Sequence, residues 1–234
     1  MRRLAIAAVA AAALAGGSAL APAQGTSPIT VTVDAQVSPN KAGTKKKPQG
    51  VKLDVTVFFH IPEAYDPPLV DRVTVLFPKG GLYNGGKFPR CSESVLNRRG
   101  LSGCPKGSIM GKGMGKATAD EVWTYPKVTV VNGGPKRVYF YTVMTNPARV
   151  QAPIVAKVTK LSGKWSYKVQ ADIPKSLQIV AGVPIVLHEL HISGGKKDWL
   201  ATTYCPPDRR WRYHAEGLFT TGETIIYDDS VPCR

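Results

Sequence analysis

Acidic residues are scarce in this chain. Sixteen Asp and Glu residues face 31 Lys and Arg residues, which gives a formal net charge of +15 at pH 7. A field of this sign attracts polyanions at a distance and repels cationic partners. Outside a cell, the expected partners are anionic cell-wall or matrix polymers. The alternative is that the charge serves solubility alone.

The usual signatures of catalysis and metal binding are missing as well. The sequence has no Gly-x-Ser-x-Gly elbow and no His-Glu-x-x-His motif. The string His188-Glu189-Leu190-His191 lies in a strand-like segment, where residues three apart face opposite sides, so we expect the two rings to diverge. We therefore predict no metal site and no cofactor, and an enzymatic role is not favoured.

Long apolar runs are absent after residue 14. The single run, Leu4 to Leu14, follows Met1-Arg2-Arg3 and precedes the small residues Ala21-Pro22-Ala23. This pattern is typical of a cleavable secretory signal, and the run is shorter than the roughly 20 apolar residues that span a membrane. We predict a signal peptide over residues 1–23, with Ala21 as the other cleavage site, no transmembrane segment, and a secreted or envelope-associated mature protein.

Cysteines are few, and their spacing excludes the C-x(2–4)-C pairs of structural zinc sites. The four are Cys91, Cys104, Cys205 and Cys233. An even number in an exported chain indicates disulfides, and four cysteines permit three connectivities. The short loops favour Cys91–Cys104 and Cys205–Cys233. Closing the 14-residue first loop is worth about 3 kcal/mol in the chain-entropy model.

Alternating apolar and polar residues dominate the rest of the sequence. They run through Ile29 to Val37, Val51 to Phe59, Val73 to Phe77 and Val183 to Ser193, and they predict half-buried strands. Three hairpins are expected around turns at residues 132–135, 162–164 and 220–222. Many short strands with turns between them predict an all-β fold, an antiparallel β-sandwich of immunoglobulin-like or jelly-roll-like type. It would form a single domain over residues 24–234, or two β subdomains divided near residue 147.

Two segments break this pattern. Ser92 to Asn97 reads as a short helix that ends in Arg98 and Arg99 before Gly100, as helix-stop rules favour. Between Ile109 and Ala117, three glycines fall on one face of an extended stretch, which predicts that another backbone or an aromatic ring lies close to that face.

Several short motifs together resemble a known family. They are Val37-Ser38-Pro39-Asn40-Lys41-Ala42-Gly43-Thr44, Leu76-Phe77-Pro78-Lys79-Gly80, Phe88-Pro89-x-Cys91 and Cys104-Pro105-x-x-Ser108-x-x-Gly111-x-Gly113. This set is similar to a family of secreted proteins of unknown function from high-GC actinobacteria, over roughly residues 29–145. The resemblance implies export and pairing of Cys91 with Cys104. It implies no activity and transfers no catalytic residue.

Two groups of residues are candidates for binding. Anion-binding candidates are the basic residues Lys45, Lys46, Lys47, Arg98, Arg99, Arg209, Arg210 and Arg212. Carbohydrate-stacking candidates are the aromatic pairs two residues apart, Trp165 with Tyr167 and Trp211 with Tyr213, although core packing is the more common use of such pairs. Specific nucleic-acid binding is not favoured, because basic and aromatic residues interleave only around Trp211.

The leading hypothesis is a non-enzymatic secreted or envelope module, structural or binding, whose basic loops engage anionic wall or matrix polymers. A carbohydrate-binding domain with an exposed aromatic platform is the alternative, and it requires exposed tryptophans. A hydrolase with a non-standard site is the third, and it requires a pocket that gathers His188 or His191 with a carboxylate.

Overall fold

A computed structural model describes residues 27–234, so the predicted signal peptide and its cleavage site lie outside the described residues. Residues 27–234 form fifteen strands and two short α-helices. The strands are β1 (Thr30–Ser38), β2 (Gln49–His60), β3 (Val70–Pro78), β4 (Gly81–Tyr83), β5 (Ile109–Ala119), β6 (Val122–Thr124), β7 (Lys127–Asn132), β8 (Arg137–Met144), β9 (Val150–Lys160), β10 (Trp165–Asp172), β11 (Ile179–Val180), β12 (Val183–Gly194), β13 (Leu200–Thr202), β14 (Arg210–Phe219) and β15 (Thr224–Pro232). The helices are α1 (Glu93–Arg99) and α2 (Lys175–Gln178).

The strands form one antiparallel sheet. Its order is β15-β14-β3-β10-β9-β8-β7-β5-β12-β2-β13-β4, with β1 on β2, β6 on β5 and β11 on β12. The inner faces of opposite parts of the sheet line the same apolar interior. The predicted all-β, antiparallel, layered architecture is confirmed, and the facing layers belong to one continuous sheet.

The sheet curves until its edge strands come together. β1 and β15 run side by side, and the Ser27 amide donates a hydrogen bond of 3.1 Å to the Thr224 carbonyl. We call this contact between β1 and β15 the seam. It lacks the ladder of hydrogen bonds that joins the other neighbouring strands.

The predicted hairpins are confirmed, as β7–β8, β9–β10 and β14–β15. Each pairs strands that are close in sequence, which local turn chemistry can determine. β8 also pairs with β9, so the strands on either side of residue 147 are neighbours in the same sheet. The choice between one domain and two stays a prediction.

The short helix is confirmed over Glu93–Arg99. The Ser92 hydroxyl accepts a hydrogen bond from the Val95 amide and caps the helix, and Gly100 ends it with a φ of 61°. Both disulfides have the preferred connectivity, Cys91–Cys104 and Cys205–Cys233. Leu96 of the helix is buried against Tyr139 and Tyr141 of β8, so the first disulfide loop covers part of the sheet's outer face.

The glycine face of β5 lies against another backbone, as predicted. A Cβ atom on Gly111 would sit 2.2 Å from the Ser193 carbonyl oxygen, and one on Gly113 would sit 2.3 Å from that of His191. Real side chains cannot approach so closely. These glycines therefore allow β5 and β12 to pair over nine positions.

Because neighbouring strands are antiparallel, the connecting segments alternate between two ends of the sheet. The first end carries the segments after β1, β3, β7, β9 and β12, and the second carries those after β2, β5, β8, β10 and β14. At the first end β13 pairs with both β2 and β4, and Trp199 packs beside Tyr83, so these short strands lie across this end. No helix within residues 27–234 is long and apolar enough to cross a membrane.

Candidate functional site

The basic candidates fall into two places. The loop with Lys45, Lys46 and Lys47 lies at the first end, together with Arg209. The two are joined through the carboxyl terminus: the Arg234 amide donates to the Asn40 carbonyl (2.9 Å), and the Cys233 amide donates to the Arg209 carbonyl (2.9 Å). The structure thus joins two clusters that are more than 160 residues apart in sequence.

The other arginines contribute differently. Arg98 and Arg99 lie on α1, over the outer face of β8 and β9, away from the joined clusters. The Arg212 guanidinium forms an ion pair with the Asp208 carboxylate (2.9 Å), which neutralises it and lowers the pKa of Asp208. Arg210 donates to the Ser230 hydroxyl (3.1 Å). Of the three arginines Arg209, Arg210 and Arg212, only Arg212 forms an ion pair within the described residues, so Arg209 and Arg210 keep an uncompensated positive charge.

Charge is segregated between the two ends of the sheet. The connecting segments of the first end, apart from the disulfide loop 91–104, carry fourteen basic and two acidic residues. The basic residues are Lys41, Lys45, Lys46, Lys47, Lys79, Lys87, Arg90, Lys106, Lys136, Lys164, Lys196, Lys197, Arg209 and Arg234; the acidic ones are Asp198 and Asp208. We call this set of segments the basic end.

The second end has the opposite balance. Its connecting segments carry two basic residues, Arg149 and Lys175. They carry five acidic ones, Glu63, Asp66, Asp120, Glu121 and Glu223. Six of the fourteen basic residues of the basic end are isolated lysines, so no local run in the sequence reveals them. Their common location could be predicted only from the strand topology, because alternate turns of an antiparallel sheet lie at the same end.

The predicted aromatic platform is not formed. Trp211 is only 3% exposed, and its indole Nε1 donates to the Tyr204 carbonyl. Tyr167 and Tyr213 line the interior. Trp165 and Tyr167 do not share a face although they are two residues apart, because a bulge between them turns Trp165 outward, towards His214. An extra residue in a strand shifts the alternation of faces.

Other aromatic side chains are exposed. Trp123 of β6 is 44% exposed and Tyr125, just after it, is 54% exposed. Lys116 Nζ lies 4.5 Å from the centroid of the Trp123 ring. Both aromatics are close to the second end, on the side of the molecule away from the basic end.

The interior of the sheet is not filled by its own side chains. Two adjoining cavities, of about 280 and 380 Å³, share Leu53, Val55, Phe77 and Pro78 as common wall residues. Native interiors have few voids larger than a water molecule.

A small polar group lies at the margin of the larger cavity, on the hairpin next to the seam. The Tyr213 hydroxyl is buried and has no hydrogen-bond partner within the described residues. The Tyr227 hydroxyl donates to the Asp229 carboxylate (3.2 Å). Burial, and then the negative charge of Asp229, raise the pKa of both tyrosines, so both remain protonated donors.

The histidines do not gather into a pocket. A bulge between Leu187 and Glu189 leaves His188 and His191 both on the outer face, and this corrects the expectation that they face opposite sides. His188 Nε2 is 3.0 Å from the Thr118 hydroxyl, whereas His191 Nε2 is 3.0 Å from an Asp54 carboxylate oxygen. Within residues 27–234, no three His, Cys, Asp or Glu side chains are placed to hold a metal ion.

The environment of His188 makes a testable prediction. Burial, and then the positive charge of Lys116, lower the pKa of His188 below its usual 6.5. The unfolded chain therefore binds this proton first, and the contribution of His188 to stability falls as the pH drops through the ordinary value. Replacing Lys116 by Gln should raise the pKa of His188, yet leave it below normal. NMR titration of the ring checks this, and an unchanged pKa would contradict it.

Comparison with protein-family profiles, with curated protein sequences and with solved structures gives no match to this chain.

Proposed function

We propose that the protein is a non-enzymatic binding module that works outside the cytoplasm and binds anionic wall or matrix polymers through its basic end. The observation that carries the proposal is the segregation of charge, with fourteen basic and two acidic residues at one end of the sheet. A surface of one sign raises the local concentration of an oppositely charged polymer and speeds association.

The form of the basic end suits a polymer better than a compact ligand. Its lysines are exposed and spread over separate turns, including Lys41, Lys136 and Lys196. Lysine acts as a point charge without the planar geometry that makes arginine selective for particular anions. Such a surface attracts repeated phosphate or carboxylate groups along a chain, and the disulfide Cys205–Cys233 anchors the segments that carry it.

Three further observations support a site of action outside the cytoplasm. The chain begins with the pattern of a secretory signal. It has two disulfides and no free cysteine within the described residues, as is usual in oxidising compartments. The resemblance to a secreted actinobacterial family agrees with this location, although it adds no activity.

A charge-neutralising variant tests the proposal. Replacing Lys45, Lys46 and Lys47 by Gln should weaken binding to purified cell wall or to a soluble polyphosphate or polyuronate by roughly 100-fold, since each lysine near an anionic surface contributes about 1 kcal/mol. A sedimentation or interferometry assay at several salt concentrations measures it. Binding to the unchanged protein should fall steeply as salt rises, because surface charges are screened.

The matched control removes three charges elsewhere. Lys127, Arg149 and Lys175 lie at or near the second end, and replacing them by Gln changes the net charge equally. This control should retain most of the binding. Equal losses in the two triple variants, or binding that ignores ionic strength, would show that the basic end is not the binding surface.

The exposed aromatics Trp123 and Tyr125 favour one second candidate, binding of a neutral sugar chain at the opposite side. Sugar rings stack on exposed aromatic faces, and this interaction is insensitive to salt. If neutral polysaccharide binds, Trp123→Ala should abolish binding while the triple lysine variant retains it. If instead the triple lysine variant loses binding and Trp123→Ala retains it, the basic end is the polymer site.

A further inference from the structure

We propose that the apolar interior is a binding site for a long hydrocarbon chain with an uncharged, hydrogen-bonding head group, of the class of fatty or isoprenoid alcohols. This site is separate from the basic end and does not depend on the polymer-binding proposal. The cavity walls, the unfilled volume and one unpartnered hydroxyl group carry the inference.

The volume is the first argument. Inward-facing side chains in the middle of the sheet, such as Val33, Val55 and Val75, are only partly buried. In a filled core they would pack against one another. Small-molecule sites typically measure about 300–1,000 Å³, and the larger cavity, of about 380 Å³, falls in this range before the adjoining one is added.

The wall chemistry determines the main part of the ligand. The residues that line the two cavities are almost all apolar: they are mainly Val, Leu, Ile, Phe, Ala and Pro side chains from thirteen strands. A polar group placed there would lose its hydrogen bonds to water and gain none in return. The buried part of the occupant must therefore be hydrocarbon, and two adjoining cavities along the sheet favour an extended chain over a compact ring.

The head group follows from the polar atoms at the margin. Tyr213 lines the larger cavity, and its buried hydroxyl group lies near the Asp229 carboxylate but makes no hydrogen bond of good geometry within the described residues. Buried polar atoms in native structures almost always have a partner, so this hydroxyl is suited to bind a ligand oxygen. Asp229 of β15 is paired directly opposite Tyr213 of β14, and the negative charge of its carboxylate disfavours a carboxylate head group.

The second end restricts access to the larger cavity. The segment that contains α2 crosses this end from β10 to β12, with Leu177 in the cavity wall. The Gln178 side chain holds α2 to the first residue of β3 through the Val70 carbonyl (3.0 Å). At the basic end, β4 and β13 form part of the wall of the smaller cavity, so the larger cavity lies farther from the proposed polymer surface.

A pair of ligands with equal chains tests the head group. Purified, delipidated protein is loaded with the neutral dye N-phenyl-1-naphthylamine, and 1-tetradecanol or tetradecanoate is added at neutral pH. The alcohol should displace the dye at concentrations at least about tenfold lower than the carboxylate does, because the Asp229 carboxylate repels an anionic head group. Tyr213→Phe should weaken binding of the alcohol several-fold, because one hydrogen bond to the head group is lost.

A cavity-filling variant tests the place of binding. Gly217 lines the larger cavity, its φ is not in the left-handed region, and a Cβ atom added there meets no other atom within 4 Å. Gly217→Leu should therefore fold and should weaken binding of the alcohol at least about tenfold, because it occupies ligand volume. Ala215→Leu, in the same wall, serves as the second filling variant.

The control adds volume to the outside. Ile226 is 62% exposed on the outer face of β15, and Ile226→Phe should leave binding unchanged. Failure of both alcohol and carboxylate to displace the dye overturns the proposal. So does displacement that is unaffected by both filling variants, since it would place the ligand outside the cavity. Preference for the carboxylate would overturn the head-group assignment.

Discussion

Replacing Asn132 by Ala is expected to lower the free energy of unfolding by about 4 kcal/mol, although the substitution removes only an amide group. Asn132 is fully buried at the end of β7. Its Nδ2 group shares its two hydrogens among the carbonyls of Gly85 (2.9 Å), Phe88 (3.2 Å) and Pro89 (3.0 Å). Each buried polar group left without a partner costs roughly 1–3 kcal/mol.

The amide oxygen of Asn132 is used equally fully. It accepts hydrogen bonds from Trp199 Nε1 (3.1 Å) and from the Gly134 amide (3.3 Å), and the Tyr83 hydroxyl lies 3.1 Å away. The Asn132 side chain therefore holds together three parts of the basic end: the turn after β7, the segment before α1, and the aromatic residues Tyr83 and Trp199. Without this side chain, buried carbonyl and N–H groups in all three parts would lack a hydrogen-bond partner.

Thermal unfolding measures this effect. For a chain of this size, about 4 kcal/mol corresponds to a fall in Tm of roughly 10 °C. Asn132→Asp keeps the shape and the acceptor oxygen but puts a carboxylate against three carbonyls, so it should be at least as destabilising at neutral pH. Asn97→Ala, on the exposed face of α1, is the matched control and should change stability by less than about 0.5 kcal/mol. A small effect of Asn132→Ala would show that its hydrogen bonds are replaced by water.

Removing the disulfide Cys205–Cys233 should be nearly as damaging. The double Cys→Ser variant frees a loop of 29 residues, counting both cysteines, and the chain-entropy model gives a loss of about 3.5 kcal/mol. The bridge also lies in an apolar cluster with Trp211 and Val231, and Val37 of β1 packs against it. Its loss therefore weakens the seam between β1 and β15.

Hydrogen exchange can separate this local effect from global unfolding. In the double variant, amides of the segment 40–43 should exchange faster, because Ala42 donates to the Arg234 carbonyl (2.7 Å) only while the carboxyl terminus is held. The Cys91–Cys104 double variant is the control: it should lose about 3 kcal/mol without changing exchange at the seam. Equal protection of segment 40–43 in both variants would contradict the assigned role of Cys205–Cys233.

The two proposed sites are compatible in one molecule. The basic end lies beside β4 and β13, whereas the larger cavity extends towards the second end. Polymer binding should therefore follow ionic strength and ignore the filling of the cavity, and hydrocarbon binding should behave in the opposite way. The lysine variants and the Gly217 variant can each serve as the control for the other site.

Local patterns predicted most of the strands correctly. Period-two alternation identified β1, β2, β3 and β12, because one face of each strand meets an apolar interior. Turn residues identified three hairpins, and helix-stop signals identified α1. The short strands β4, β6, β11 and β13 were missed, since two or three residues are too few to show a period.

The errors have a common cause. Bulges near Trp165 and near His188 insert one residue into the alternation, and this inverts the face of every residue counted across them. The sequence predicts an ordinary turn at Asn132 and not its buried hydrogen bonds, because five of its partners lie more than forty positions away in sequence. Neither a bulge nor a long-range hydrogen-bond partner can be predicted from the residues nearby in sequence.

The sequence by itself determined the longer strands, the short helix and the preferred sulfur pairing, because each depends on residues that are close along the chain. Tertiary structure alone decided that scattered lysines form one basic end and that inward-facing valines enclose unfilled space. Both follow from the order in which strands pair, and that order is set by contacts over the whole sheet.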